Sequence, residues 1–344
     1  MKKSVFVLLL LAVISTTTVF PLENAINEDS EYTHAQVAAE GFIPYFGSML
    51  ISSSMLFLPQ DLMMHFMSLE STLLNIPAAI VNPTYTLTGT AITTSSWATG
   101  IFLSNYPQLY GNPCLTSLFA NAGFKGNMWL QYKGYEKARS MAQDGIYRDY
   151  EPLSFTDAFT APFSPNVLSK KAVWIPILVY TAGIIGLDCL GGFDNSVFKT
   201  GESYIGNYKF PIALGTAAVF ALSCINFTFT AVGEEALFRG TGYEEMKVSF
   251  GIIPAKIVDA VAFPAVHIPQ QVIAGIDWSS ILFTTLLQSG TSFLLQWVYD
   301  QGGLRDSIAV HAWIDIISYV CSYLFTSGTE GNNFSLNINF SFKL

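Results

Sequence analysis

Long apolar runs, parted by short polar breaks, set the pattern of this chain. Residues 41–60 carry no charge, and residues 71–124 contain no Asp, Glu, Lys, Arg or His. Pro77, Pro83, Pro107 and Pro113 interrupt that stretch and leave 85–103 as its best helical span, since about 20 apolar residues cross a bilayer core. Further runs of that length follow at 172–190, 210–233, 252–268 and 278–299, and a last one at 307–326 is apolar except for His311 and Asp315. The pattern predicts an all-α fold, a polytopic transmembrane helical bundle.

The two ends differ from the middle. Lys2 and Lys3 precede an apolar core at 5–14 and a polar stretch at 15–18, the layout of a secretory signal. Cleavage near Ala25 would remove it, but Glu23 spoils the small-residue pattern, so residues 1–25 are a signal peptide or a first anchor. At the other end Phe334, Leu336, Ile338, Phe340, Phe342 and Leu344 alternate with polar residues. That period of two predicts a short C-terminal strand in the tail 327–344.

Charge refines the picture. Of the 344 residues 51% are hydrophobic and 12% charged, against roughly 25% charged in a soluble domain. A net charge of −9 with 16 dispersed basic residues argues against nucleic acid as a partner. Seven of those sixteen fall within 125–171, a segment that should face the cytoplasm of a protein in the cell (inner) membrane. Residues 26–170 thus read as an N-terminal membrane-associated region and 172–326 as a second domain. The four cysteines, Cys114, Cys189, Cys224 and Cys321, are too scattered for a zinc knuckle or a disulfide framework.

A charge within a span costs about 2.5–3.5 kcal/mol even on lenient scales, so such residues are candidates for function. Three strings stand out: Glu234-Glu235-Ala236-Leu237-Phe238-Arg239, Phe263-Pro264-Ala265-Val266-His267 and His311-Ala312-Trp313-Ile314-Asp315. On an α-helix Glu235 and Arg239 share a face and can pair. That leaves Glu234, about 100° round the helix, without a cation of its own and suited to general-base work. The alternative is that both glutamates cap a cytoplasmic helix end. Pro264 breaks the helical ladder ahead of His267, which suits either a water-accessible site or an interfacial residue. His311 and Asp315 stand four apart, so the carboxylate can orient the imidazole.

In this order the strings resemble the EExxxR, FxxxH and HxxxN/D signature of the CPBP family, which contains the CAAX prenyl endopeptidases and the bacteriocin-processing and immunity-type enzymes. The resemblance covers roughly residues 170–326. It implies a CPBP-like intramembrane protease domain at 172–326, in which Glu234 activates a water with help from His267. By the same analogy His311 and Asp315 bind the oxyanion, Arg239 holds the glutamate-bearing helix, and Glu235 and Phe263 support it. Asp315 stands where many members have Asn, and a carboxylate repels an oxyanion unless it is protonated or engaged with His311. No cofactor is implied; the alternative is a zinc bound by Glu234, His267 and His311, whose water attacks the peptide, although no HExxH string occurs. The partners so implied are membrane lipid and a membrane-proximal protein or peptide substrate. Hydropathy sets Glu234 and His267 at opposite ends of successive spans, so either 252–268 does not cross or Glu234 lies deeper than the charge-free window suggests. Two rivals stand beside this reading: a rhomboid-like serine protease using Gly290-Thr291-Ser292 with His311, and a non-catalytic membrane immunity or scaffold protein.

Overall fold

The computed structural model describes residues 32–54, 71–105, 113–142, 152–191, 201–205 and 208–324, with positions 56, 69 and 147. The expected signal or anchor at 1–25 and the expected strand in 327–344 lie outside them.

Among the described residues the apolar runs become helices, and the fold there is all-α apart from one hairpin. α1 is His34–Ser54, α2 is Ile76–Val81 and α3 is Pro83–Asn105. The last begins on a proline, whose missing N–H costs nothing at the first helical position. α4, Pro113–Met141, carries the first half of the basic segment on a 29-residue helix. Two short helices, α5 (Phe155–Thr160) and α6 (Pro165–Leu168), lead to α7, Lys171–Gly191. Ser154 caps α5 by accepting from the Asp157 N–H, the usual service of a serine at that position.

Where an unbroken span was expected from residue 210, the chain first makes an antiparallel hairpin. β1 (Glu202–Ile205) pairs with β2 (Tyr208–Pro211), Ile205 opposite Tyr208 and Glu202 opposite Pro211. α8 then runs from Ile212 to Glu235 and passes directly into a π-helix, Ala236–Tyr243, and α9, Glu244–Phe250. This corrects the expected helix end at residue 233: Glu234 stands inside a helical run of 39 residues, Ile212–Phe250. α10 (Ile252–Ala265) and α11 (Ile268–Ile273) follow. The run at 278–299 and residues 307–322 of the last run fall in one element, α12 (Trp278–Ser322), interrupted at Gly303, where φ is 76° and ψ −172°. Only glycine adopts that backbone at low cost.

Among the described residues, Ile212–Phe250 and Ile252–Ile273 are long and apolar enough to cross a membrane. Many large apolar side chains point outward, among them Leu87, Ile92, Val179, Ile253, Val261 and Leu286. In water such a surface would associate; facing lipid it is the expected exterior.

The described chain forms two compact units. The first draws on the described residues within Met1–Thr94, Gly126–Pro152 and Ala236–Phe293, the second on those within Ser95–Lys125, Leu153–Glu235 and Leu294–Leu344. In the first, α3 and α4 approach through small residues: a Cβ on Gly89 would lie 2.3 Å from the Leu130 side chain, and one on Gly126 2.5 Å from Thr93. Close backbones favour van der Waals packing and let buried amides join helices, two of the forces that act where lipid removes the hydrophobic drive. Asn127 Oδ1 accepts from Asn75 at 2.8 Å and from Thr93 at 2.7 Å, while its Nδ2 donates to Ser71 at 3.1 Å. In the second unit, Trp313 of α12 donates its indole N–H to the Pro162 carbonyl at 2.7 Å. Nearby, Lys170 holds buried Asp306 at 2.7 Å.

Candidate functional site

The Glu-Glu pair falls at the junction of α8 and the π-helix. Glu234 is 4% exposed and Glu235 wholly buried. A π-helical turn widens the backbone, and Thr241 closes it by donating its hydroxyl to the Ala236 carbonyl at 2.9 Å. Such turns are rare and are frequently found at functional sites. The α-helical spacing assumed for Glu235 and Arg239 is therefore not the local geometry.

α12 brings the partners of the glutamates. Ser307, His311 and Asp315 are successive four-residue steps and so line one face of that helix. His311, 4% exposed, has its Nδ1 2.7 Å from Glu235 Oε1. Its Nε2 lies 3.7 Å from Glu234 Oε2 and 3.5 Å from Asp315 Oδ2. Ser307 donates its hydroxyl to Glu235 Oε2. The orienting role expected of Asp315 thus falls first to Glu235, which makes the shorter contact and fixes a proton on Nδ1. Nε2 is left facing Glu234, and it becomes a donor when the ring carries both protons.

The expectation that Glu234 lacks a cation is corrected by α4. Lys125 Nζ lies 2.5 Å from Glu234 Oε1, and both side chains are nearly buried. The helices come close enough because residue 233 is glycine: a Cβ there would stand 2.6 Å from the Lys125 backbone oxygen. One turn earlier on α4, Asn121 donates to Thr230 at 2.8 Å and to the Asn226 carbonyl at 3.1 Å. Lys125 was counted in the sequence among the basic residues of a cytoplasmic segment, yet it is 9% exposed. No local pattern links it to a glutamate 109 positions away.

The second unit thus gathers Glu234, Glu235, His311 and Asp315. The first gathers Arg239, Phe263 and His267. Arg239 is fully buried. Its Nη2 donates to Ser292 Oγ at 2.8 Å, its Nε lies 3.6 Å from Asp259 Oδ2, and its guanidinium carbon sits 4.3 Å over the Phe263 ring. Asp259 also accepts from the Tyr45 hydroxyl at 3.1 Å. Phe263 in turn packs edge-on against His267, with centroids 5.6 Å apart. His267 sits at the break between α10 and α11, where its N–H donates to the Pro264 carbonyl at 3.0 Å. Ser292, the nucleophile of the rhomboid-like alternative, is wholly buried and engaged by Arg239, the position of a structural hydroxyl. Sequence reasoning missed Asp259, although a carboxylate within an apolar span meets the criterion that singled out His311. Among the described residues no group of three or more His, Cys, Asp and Glu has the arrangement of a metal-ligand set.

Residues 215–317, which contain all three strings, match the protein-family model described as Rce1-like, type II CAAX prenyl endopeptidase. No curated protein and no solved structure matches the chain.

Proposed function

We propose that residues 215–317, which match the Rce1-like family model, are the protease domain of an integral-membrane endopeptidase, and that peptide-bond hydrolysis there proceeds through a water activated by Glu234. The water oxygen attacks the scissile carbonyl carbon as Glu234 takes its proton. The resulting oxyanion accepts a hydrogen bond from His311 Nε2–H, a donor aimed at developing charge. The proton on Glu234 then passes to the amide nitrogen, the C–N bond breaks, and a carboxylic acid and an amine leave.

The observation that carries this reading is the buried convergence of Glu234, Glu235 and His311, with Glu235 on Nδ1 and Glu234 on the Nε2 side. A carboxylate that fixes one nitrogen of a histidine so that the other can act is a recurring catalytic device. A scaffold would gain nothing from two buried carboxylates and a partly buried third near one imidazole that a well-packed apolar cluster would not supply at lower cost. Asp315 steadies His311 from its own helix, and Arg239 and Phe263 hold the π-helix and α10; a part for His267 in activating the water rests on the family resemblance alone. The reading is metal-free. The substrate class is a membrane-proximal polypeptide presented from the lipid of the cell (inner) membrane.

The test is cleavage by the purified full chain in proteoliposomes. The probes are quenched-fluorescent peptides ending in a CAAX box, with and without a farnesyl group, and a library of juxtamembrane peptides. Wild type, Glu234→Gln, His311→Ala and His267→Ala are compared, each with and without a zinc chelator. Loss in all three variants with no chelator effect is the predicted result. Chelator-sensitive turnover would move the chemistry to a zinc-bound water, and full activity of Glu234→Gln would remove the site assignment.

A further inference from the structure

From the Lys125–Glu234 contact we infer that Lys125, which lies outside the segment matched by the family model, is a positioning residue for the hydrolytic carboxylate. The inference rests on Glu234 being the base. Glu234 divides its two oxygens: Oε1 meets Lys125 at 2.5 Å, and Oε2 is the one on the His311 side, 3.7 Å from Nε2. A glutamate side chain left to itself rotates about three bonds and presents either oxygen. The ammonium fixes which oxygen faces the reacting water, and so contributes orientation. It also offsets one of the three carboxylates, Glu234, Glu235 and Asp315, gathered around a single imidazole.

Lys125 is itself held in place. Its ammonium stands 5.0 Å from the Phe124 ring centroid, Asn121 ties α4 to α8 one turn away, and Gly233 gives the space for the approach. A lysine serving only to dock helices would need neither near-complete burial nor a partner in the catalytic cluster, since a buried ion pair adds little net stability over apolar packing.

The experiment measures kcat and KM per folded molecule for Lys125→Met, set beside wild type and Glu234→Gln. The assay uses whichever quenched-fluorescent peptide wild type cleaves, with the folded fraction taken from size-exclusion chromatography. Positioning predicts that kcat falls about 10²-fold, as for a misplaced catalytic group, while KM stays within about threefold because substrate contacts are untouched. If Lys125→Met is not recovered folded, Lys125→Gln, which keeps an N–H donor but no charge, is held to the same criterion of a selective fall in kcat. Wild-type kcat per folded molecule in either variant, with Glu234→Gln inactive, overturns the role of Lys125 and leaves Glu234 as the base. An active Glu234→Gln overturns the underlying reading instead.

Discussion

Among the described residues Arg239 heads the fully buried side chains by volume, and replacing it tests how the π-helix is held. Arg239→Met keeps most of the volume and removes the guanidinium. At 3.6 Å from Asp259, the pair attracts by roughly 4–5 kcal/mol at an effective dielectric of 20. The net cost of removing one partner of a buried pair is about 3–5 kcal/mol, because the other charge stays behind. Here that charge is Asp259, wholly buried and left with the Tyr45 hydroxyl and the weaker Ser292 contact among its described hydrogen bonds. The stacking on Phe263 adds about 0.5–2 kcal/mol. Asp259→Asn in the same chain removes the stranded charge, so Arg239→Met/Asp259→Asn should recover about half of the loss or more. Unfolding free energies in mixed dodecylmaltoside–SDS micelles, taken as a double-mutant cycle, give the numbers. A loss below about 1 kcal/mol for Arg239→Met, within the range of an exposed ion pair, would refute the argument. So would a double variant as unstable as the sum of the single ones.

Three further outcomes are expected. Glu235→Gln should leave the fold intact and lower kcat by about 10²–10⁴-fold, as when a histidine loses the carboxylate that fixes its tautomer; unchanged turnover would deny Glu235 that role. Gly303→Ala should destabilise by about 1–3 kcal/mol, because φ of +76° in α12 is strained for any residue with a Cβ; the same micelle unfolding measures it. Gly233→Ala should push α4 from α8, since its Cβ would stand 2.6 Å from the Lys125 oxygen, and a turnover loss comparable to that of Lys125→Met, about 10²-fold, is predicted in the peptide assay.

The helices were legible in the sequence because spans announce themselves by length and lack of charge: 85–103 lies within α3 and 172–190 within α7. The strings around Glu234 and His311 were legible for the complementary reason, charge where lipid should be. What the sequence hid depends on contacts distant along the chain or on backbone detail. Lys125 looked like one more basic residue because its partner is on another helix. That a π-helix begins at Ala236 and that Glu235 Oε1 meets His311 are matters of backbone detail and distant contact that α-helical spacing does not show. Ser307 is an ordinary hydroxyl until α12 sets it one turn from His311. The hairpin at 202–211 escaped because its strands are four residues each, too short for alternation to register.

Glu234 as the base is most directly tested by the cleavage rate of purified Glu234→Gln, relative to wild type, in chelator-treated proteoliposomes. The account predicts that wild type keeps its full rate under chelation while Glu234→Gln, folded and of nearly identical shape, falls by about 10²–10⁴-fold, as when a general base is removed. Equal rates for the two proteins, or a wild type silenced by the chelator, would contradict it.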